Sequence, residues 1–291
     1  METKTNWCCF VIKEFLKNLK RSMKVKVKFV LLCLTALLVS GILTGQSYAK
    51  IEPKTLVGLW LFDEGSGDVA KDASENGKDG AIMNGPNWVE GKFGKGLSFN
   101  GVDNYISLPP ITASNWEGVT LLAWVWLNSL PNELPSSYDE IFGTKQDIFD
   151  MYGDKGNNEF RVKVTTTAGA ERPGIPTAQL KKNQWIHIAG IFDSAAGQMK
   201  IYMNGQLMDT HNLTGFVNGT QNSAIGAQGD PNGAFSDFHN GMIDDVALFN
   251  VALTEQDLQT IMNKGLKESL GMVAVVLSGK LTTTWANIKT R

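Results

Sequence analysis

Two adjacent acids, Asp244 and Asp245, sit inside an otherwise apolar run, Gly241-Met242-Ile243-Asp244-Asp245-Val246-Ala247-Leu248-Phe249. Side chains alternate along a strand, so Asp244 shares a face with Met242, Val246 and Leu248, and Asp245 with Ile243, Ala247 and Phe249. Both faces are apolar, and at least one carboxylate must point into protein, where a charge needs a cation or several N–H donors. A hard cation, structural calcium, answers that need. Asp72, Ser74 and Asn76 stand at alternate positions of a Gly/Asp/Asn-rich loop and bring oxygen donors, and Asp103 in a turn brings another. A plainer reading stays open beside it: Asp72 and Asn76 cap turns, and one of the paired acids bonds backbone amides. The EF-hand loop pattern is absent.

Other chemistry finds little support. Glycoside hydrolysis needs two acids, usually alternate on one strand, and no Glu-x-Asp-x-(x)-Glu run exists. The nearest acidic cluster, Asp139-Glu140, Asp147, Asp150 and Asp154, lacks that phasing and reads as a sheet rim and solvated face. His187, His211 and His239 lie on different elements, and no spacing resembles a zinc site. There is no Gly-x-Ser-x-Gly elbow. Sugar binding asks for aromatic faces flanked by polar groups. Trp88, Trp116, Tyr138, Tyr152, Phe235 and Phe238 stand in loop-like text and are the candidates for ligand contact. Against each stands the commoner fate of an aromatic, burial as a packing anchor. Trp60, Trp124, Trp126 and Trp185 lie in strands and are assigned to the core.

The elements that must position these residues are strands. From Leu56 to Phe249 short apolar runs alternate with Gly, Asn and Asp, as in an antiparallel sandwich. Leu56–Phe62 and Leu121–Leu127 are apolar on both faces, which suits central strands. The text from Asp63 to Gly85 reads as one loop. In Glu159–Thr165, Phe160, Val162 and Val164 face one way and Arg161 and Lys163 the other. Asn204-Gly205 marks a hairpin between Met199 and Met208. One helix closes the pattern: Thr254 caps it, Leu258, Ile261 and Met262 form its stripe, and Gly265 ends it. Met272–Leu277 and Leu281–Trp285 read as a hairpin added to the sandwich or as a sticky appendage.

With those marks in order, the chain resembles the laminin-G-like jelly-roll domains of the concanavalin-A-like lectin/glucanase superfamily. The resemblance rests on Trp60-Leu61-Phe62-Asp63-Glu64-Gly65-Ser66-Gly67, Asp72 to Gly77, Phe99 to Tyr105, Ala123-Trp124-Val125, Gln184 to Gly190, Ile201 to Gly205 and Gly241 to Phe249. It implies an all-β fold: a two-sheet antiparallel jelly-roll sandwich with one short C-terminal helix. It also implies a binding module, with a glycan, a surface polysaccharide or another extracellular protein as partner. Family members often carry structural calcium. The superfamily includes laminarinase-type glucanases, so a glycosidase is the third reading after glycan binding and protein adhesion.

The N-terminal segment is set apart from the fold. Lys24, Lys26 and Lys28 form a basic region, and Phe29 to Thr44 is apolar but too short for a comfortable membrane span. Ser47-Tyr48-Ala49 is a cleavage signal, so residues 23–49 read as a secretory signal peptide cut after Ala49. Residues 1–22 then read as an upstream mis-start or leader, 53–267 as the jelly-roll domain and 268–291 as a tail. Residues 1–49 hold 8 of the 27 Lys and Arg and 2 of the 29 Asp and Glu, leaving 19 basic and 27 acidic, a formal charge of −8. That balance disfavours nucleic acid and anionic lipid as partners. Cys8, Cys9 and Cys33 also leave with the signal peptide, so the exported domain holds together without a disulfide. The expectation is a secreted, non-catalytic binding module without a membrane span.

Overall fold

The computed structural model describes residues 51–143, 148–229 and 235–272. The expected signal peptide and leader, and the tail beyond Met272, lie outside the described residues.

Two antiparallel sheets form the sandwich. The first runs in the order Gln206–Asn212, Gln198–Met203, Trp185–Asp193, Gly118–Leu127, Asn240–Phe249, Lys95–Asn100 and Asn87–Glu90, with Leu56–Trp60 also paired to Asn240–Phe249. The second runs Gly169–Glu171, Glu159–Thr166, Phe149–Asp154, Tyr138–Gly143, Ala224–Ile225, Tyr105–Ser107, Gly80–Met83 and Val69–Ala70, with Gly174–Pro176 beside Glu159–Thr166. The last two strands of that order fall inside the stretch read as one loop. They are only two and four residues long, too short to show a period.

Alternation explains the layers. Leu121, Ala123 and Val125 of the central strand face Phe149, Met151, Phe160, Val162 and Val164 of the second sheet in the main core. The opposite neighbours, Leu122, Ala189, Ile191, Ala247 and Phe249, form a second cluster with Leu258, Ile261, Leu266 and Leu270. The helix α1 (Glu255–Ser269) therefore covers the outer face of the first sheet. Its start is as expected: Asp257 N donates to Thr254 Oγ1 at 3.1 Å, and Thr254 N donates back to Asp257 Oδ2 at 2.9 Å. Its end is not. Gly265 kinks the helix at φ +77 and the chain resumes to Ser269. The ring of Phe93 lies 3.1 Å from where a Cβ on Gly265 would stand, so close approach as well as φ demands glycine there. The hairpin at Asn204-Gly205 has both residues at positive φ, +50 and +72, as a type I′ turn requires.

Trp60 and Trp124 are buried as expected. Trp126 and Trp185 are not core residues: they oppose each other across adjacent strands, edge to face at 5.9 Å, and stay half-buried. Their strands are apolar on both faces, but the second cluster under α1 does not extend to them.

Candidate ligand-binding site

Tyr138, Glu140, Asp150, Tyr152 and Lys163 lie on the face of the second sheet turned away from the core. Strand alternation puts them there, since Phe149, Met151, Phe160, Val162 and Val164 take the inner face. Register then brings them together. Asp150 pairs with Lys163, Tyr152 with Arg161 and with Glu140, and Asp154 with Tyr138. With Arg172 and Gln228 these residues line a cavity of about 190 Å³.

The floor is polar and buried: Glu140 is 2%, Asp150 3% and Lys163 7% exposed. Tyr138 stands at the mouth, 39% exposed, with its ring edge-to-face on Tyr152 at 5.6 Å. Burial pushes the Tyr152 phenol well above its ordinary range, so it is a neutral O–H at any physiological pH. Gly143 has φ +147, and a Cβ there would collide with Asp150 Oδ1 and lie 2.5 Å from Glu140 Oε1. Both oxygens therefore face one point and stand within about 5 Å of each other.

This corrects the reading of the acidic cluster as a solvated rim, apart from Asp147, which lies outside the described residues. Asp139, Glu140, Asp150 and Asp154 are all buried. Asp139 accepts a 2.8 Å contact from buried His239 Nδ1, and Asp154 accepts from Asn157 and forms an ion pair with Arg161 at 3.7 Å. The pattern shows which way a side chain points but not which loops rise around it.

Of the six aromatic candidates, the structure brings only Tyr138 and Tyr152 into the pocket. Both belong to strands, not loops. Trp88 packs half-buried against the main core, its Nε1 donating to Gly67 O at 3.3 Å. Trp116 stacks on Phe149 at 6.2 Å. Phe235 stacks on Tyr105 at 3.9 Å, and Phe238 lies 6.2 Å from the same ring. Packing, the commoner fate of an aromatic, accounts for these four. Lys163, Arg172 and Gln228 were not among the candidates. Only the alternation of Lys163 with Val162 and Val164 hinted at its outward position.

The five metal candidates fall in three places: Asp72 with Asn76, Asp103, and Asp244 with Asp245. Asp72 Oδ1 accepts from Leu59 N, Ser74 N and Ser74 Oγ, and its Oδ2 from Lys78 N at 2.9 Å. Asn76 donates to Leu56 O and Ser74 Oγ. Asp103 Oδ1 accepts from Asn100 Nδ2 and Asn104 Nδ2. Those three brace loops through hydrogen bonds. Asp244 Oδ2 accepts from Lys92 N at 2.7 Å and Phe93 N at 2.9 Å, while its buried Oδ1 has no hydrogen-bond partner. Asp245 sits in a bulge at φ +50 and reaches Leu266 N at 3.5 Å. Among the described residues no three acidic, imidazole or thiol groups converge on one metal position. A calcium ion at Asp244 would have to draw most of its six to eight ligands from backbone carbonyls and water.

Two antiparallel sheets packed as a jelly roll define the class of domain. The sequence agrees: residues 100–259 match a laminin-G family model, and the chain belongs to the concanavalin A-like lectin/glucanases superfamily. No match was found among curated proteins. Solved structures resemble it at fold level. The binding domain of Paraclostridial Mosquitocidal Protein 1 superposes with a TM-score of 0.56 at 17% identity, covering 72% of this chain and 52% of that one. The receptor binding domain of botulinum neurotoxin C/D mosaic serotype gives 0.52 at 12%, covering 72% and 51%. The serotype D ligand binding domain, solved in complex with N-acetylneuraminic acid, gives 0.51 at 14%, covering 73% and 51%. The matched region thus corresponds to about half of each of those domains.

Proposed function

We propose that this chain is an exported, non-catalytic glycan-binding module that holds its ligand in the Tyr138–Tyr152 pocket. The observation that carries the reading is the pocket's composition. Tyr138 stands at the mouth against the buried Tyr152, over a floor that mixes carboxylates with an ammonium. Sugar hydroxyls donate and accept at once, so such a floor satisfies them from both sides. The botulinum serotype D domain binds a sugar acid on a related fold, but at 14% identity the likeness speaks for the fold alone. Export rests on the signal-peptide pattern before Lys50. Structural calcium is proposed at Asp244 only, where a buried carboxylate oxygen is open to a cation.

The test is binding to a printed glycan panel. Tyr138→Ala should weaken any binding by about tenfold, the loss of one aromatic contact and the mouth it shapes. Absence of binding to every glycan would refute the proposal.

One observation favours a second reading, glycoside hydrolysis: two buried carboxylates, Glu140 and Asp150, meet at Gly143 on the pocket floor. Reducing-sugar release from β-glucans that vanishes in Glu140→Gln would establish it in place of simple binding.

A further inference from the structure

We infer that the pocket takes a single, uncharged sugar residue at the end of a chain, and not an internal stretch of polysaccharide. This rests on the glycan reading above and narrows it.

Size comes first. A cavity of about 190 Å³ holds the equivalent of about six waters at about 30 Å³ each. A space of that size is on the scale of one pyranose ring with its hydroxyls and not of two. It is smaller than the roughly 300–1,000 Å³ clefts that hold larger ligands.

Shape comes second. Across the strands the floor is flanked on one side by Arg172, which follows the Gly169–Glu171 strand, and on the other by Gln228, which enters the Gln228–Gly229 and Phe235–Ser236 hairpin. A polysaccharide running over the sheet at right angles to the strands would have to pass both. A chain end needs only to dip between them.

Charge comes third. Glu140 and Asp150 are balanced by Lys163 and Arg172, so the lining offers no net charge to a ligand. The balance is uneven in depth. Both carboxylates and Lys163 are buried, while Arg172 is exposed and screened by solvent. An acidic sugar would bring a third carboxylate toward two buried ones, which desolvation and like charge both oppose. A hydroxyl-rich neutral ring meets acceptors and donors without that cost.

Calorimetry on the purified protein tests the inference. A panel of neutral, acidic and amino-sugar oligosaccharides identifies binders. Each is then titrated as chains of two, four and six units and as the polymer. We expect one site per chain end, affinity constant within about twofold from two to six units, and neutral sugars only. Arg172→Ala, at the exposed rim, and Asp150→Asn, on the floor, should each weaken binding about tenfold or more, as loss of a charged hydrogen-bond partner does. Trp185→Ala, on the other sheet, should leave it unchanged. Affinity that climbs with every added unit, several sites along one polymer, or preference for an acidic or amino sugar would overturn the inference while glycan binding stood. Loss of binding in Trp185→Ala with none in Arg172→Ala would move the site elsewhere and overturn it too. A panel without any binder sinks the glycan reading itself.

Discussion

Asp244 stands directly opposite Trp124 in the pairing of Asn240–Phe249 with Gly118–Leu127, and each carries a buried polar atom without a hydrogen-bond partner. The row continues: His187 opposes Trp124 on its other side, and neither of its ring nitrogens has a partner. Three strands thus place an acid, an indole and an imidazole in line on the outer face of the first sheet. The acid and the imidazole titrate in opposite senses because both are buried.

Burial pushes the Asp244 carboxyl from 3.8 up to about 7, and burial with the neighbouring Asp244 charge raises Asp245 well above the ordinary range. A raised carboxyl holds its proton more tightly in the folded state. Its contribution is intact below about 3.8 and is lost as pH climbs through about 7. In chelator-containing buffer the melting temperature should therefore fall as pH rises from about 4 to about 7, by on the order of 5 °C. Asp245→Asn removes one ionisable group, and asparagine tolerates the positive φ at that bulge. The variant's decline over that range should be about half as steep. A flat wild-type profile over that range would contradict the assignment.

Burial lowers His187 from 6.5 to about 4. The sign is reversed here: its contribution is present above 6.5 and lost as pH falls through about 4. In the wild type this slope opposes that of the two aspartates below pH 6.5. His187→Leu removes it and leaves no buried ring nitrogen unpaired, so stability at pH 7 should hold or rise. Below pH 6.5 the variant should keep gaining melting temperature where the wild type levels off. Thermal scans at half-unit pH steps read the difference, and superimposable curves would refute it.

Asp72 makes a different prediction, because its oxygens are satisfied. Leu59 N, Ser74 N, Ser74 Oγ and Lys78 N all donate to it, tying the loop to the first strand. Asp72→Ala should cost about 3 kcal/mol in urea unfolding, since buried donors lose a charged acceptor. Calcium should neither rescue nor worsen it.

The sheets and the helix start were legible because each rests on a local rule. Phe160, Val162 and Val164 alternate with Arg161 and Lys163, Asn204-Gly205 permits positive φ, and Thr254 with Asp257 closes a capping box. The pocket was not legible, because no local rule reaches it. Glu140 and Asp150 meet through the pairing of two strands whose register shifts between Met151 and Tyr152. Gly143 leaves room for both carboxylates. Nothing near Glu140 in sequence announces Arg172 or Gln228. Asp72 and Asp103 carry the residue types of a calcium loop, but the same oxygens serve amides equally well, and only coordinates distinguish the two.

Close approach of the sheets is equally silent in sequence. Gly190 sits in Trp185–Asp193, and a Cβ there would collide with Val162 Cγ1 and lie 2.7 Å from Val162 Cβ in the facing sheet. Valine is stiff at χ1 and has little freedom to turn away. Gly190→Ala should therefore cost about 1–3 kcal/mol by overpacking, although alanine suits a strand better than glycine does. Gly190→Ala combined with Val162→Ala removes the colliding methyls and should recover part of the loss. Urea unfolding of the two single variants and the double gives the coupling directly. Strict additivity would show that the two residues do not limit the distance between the sheets.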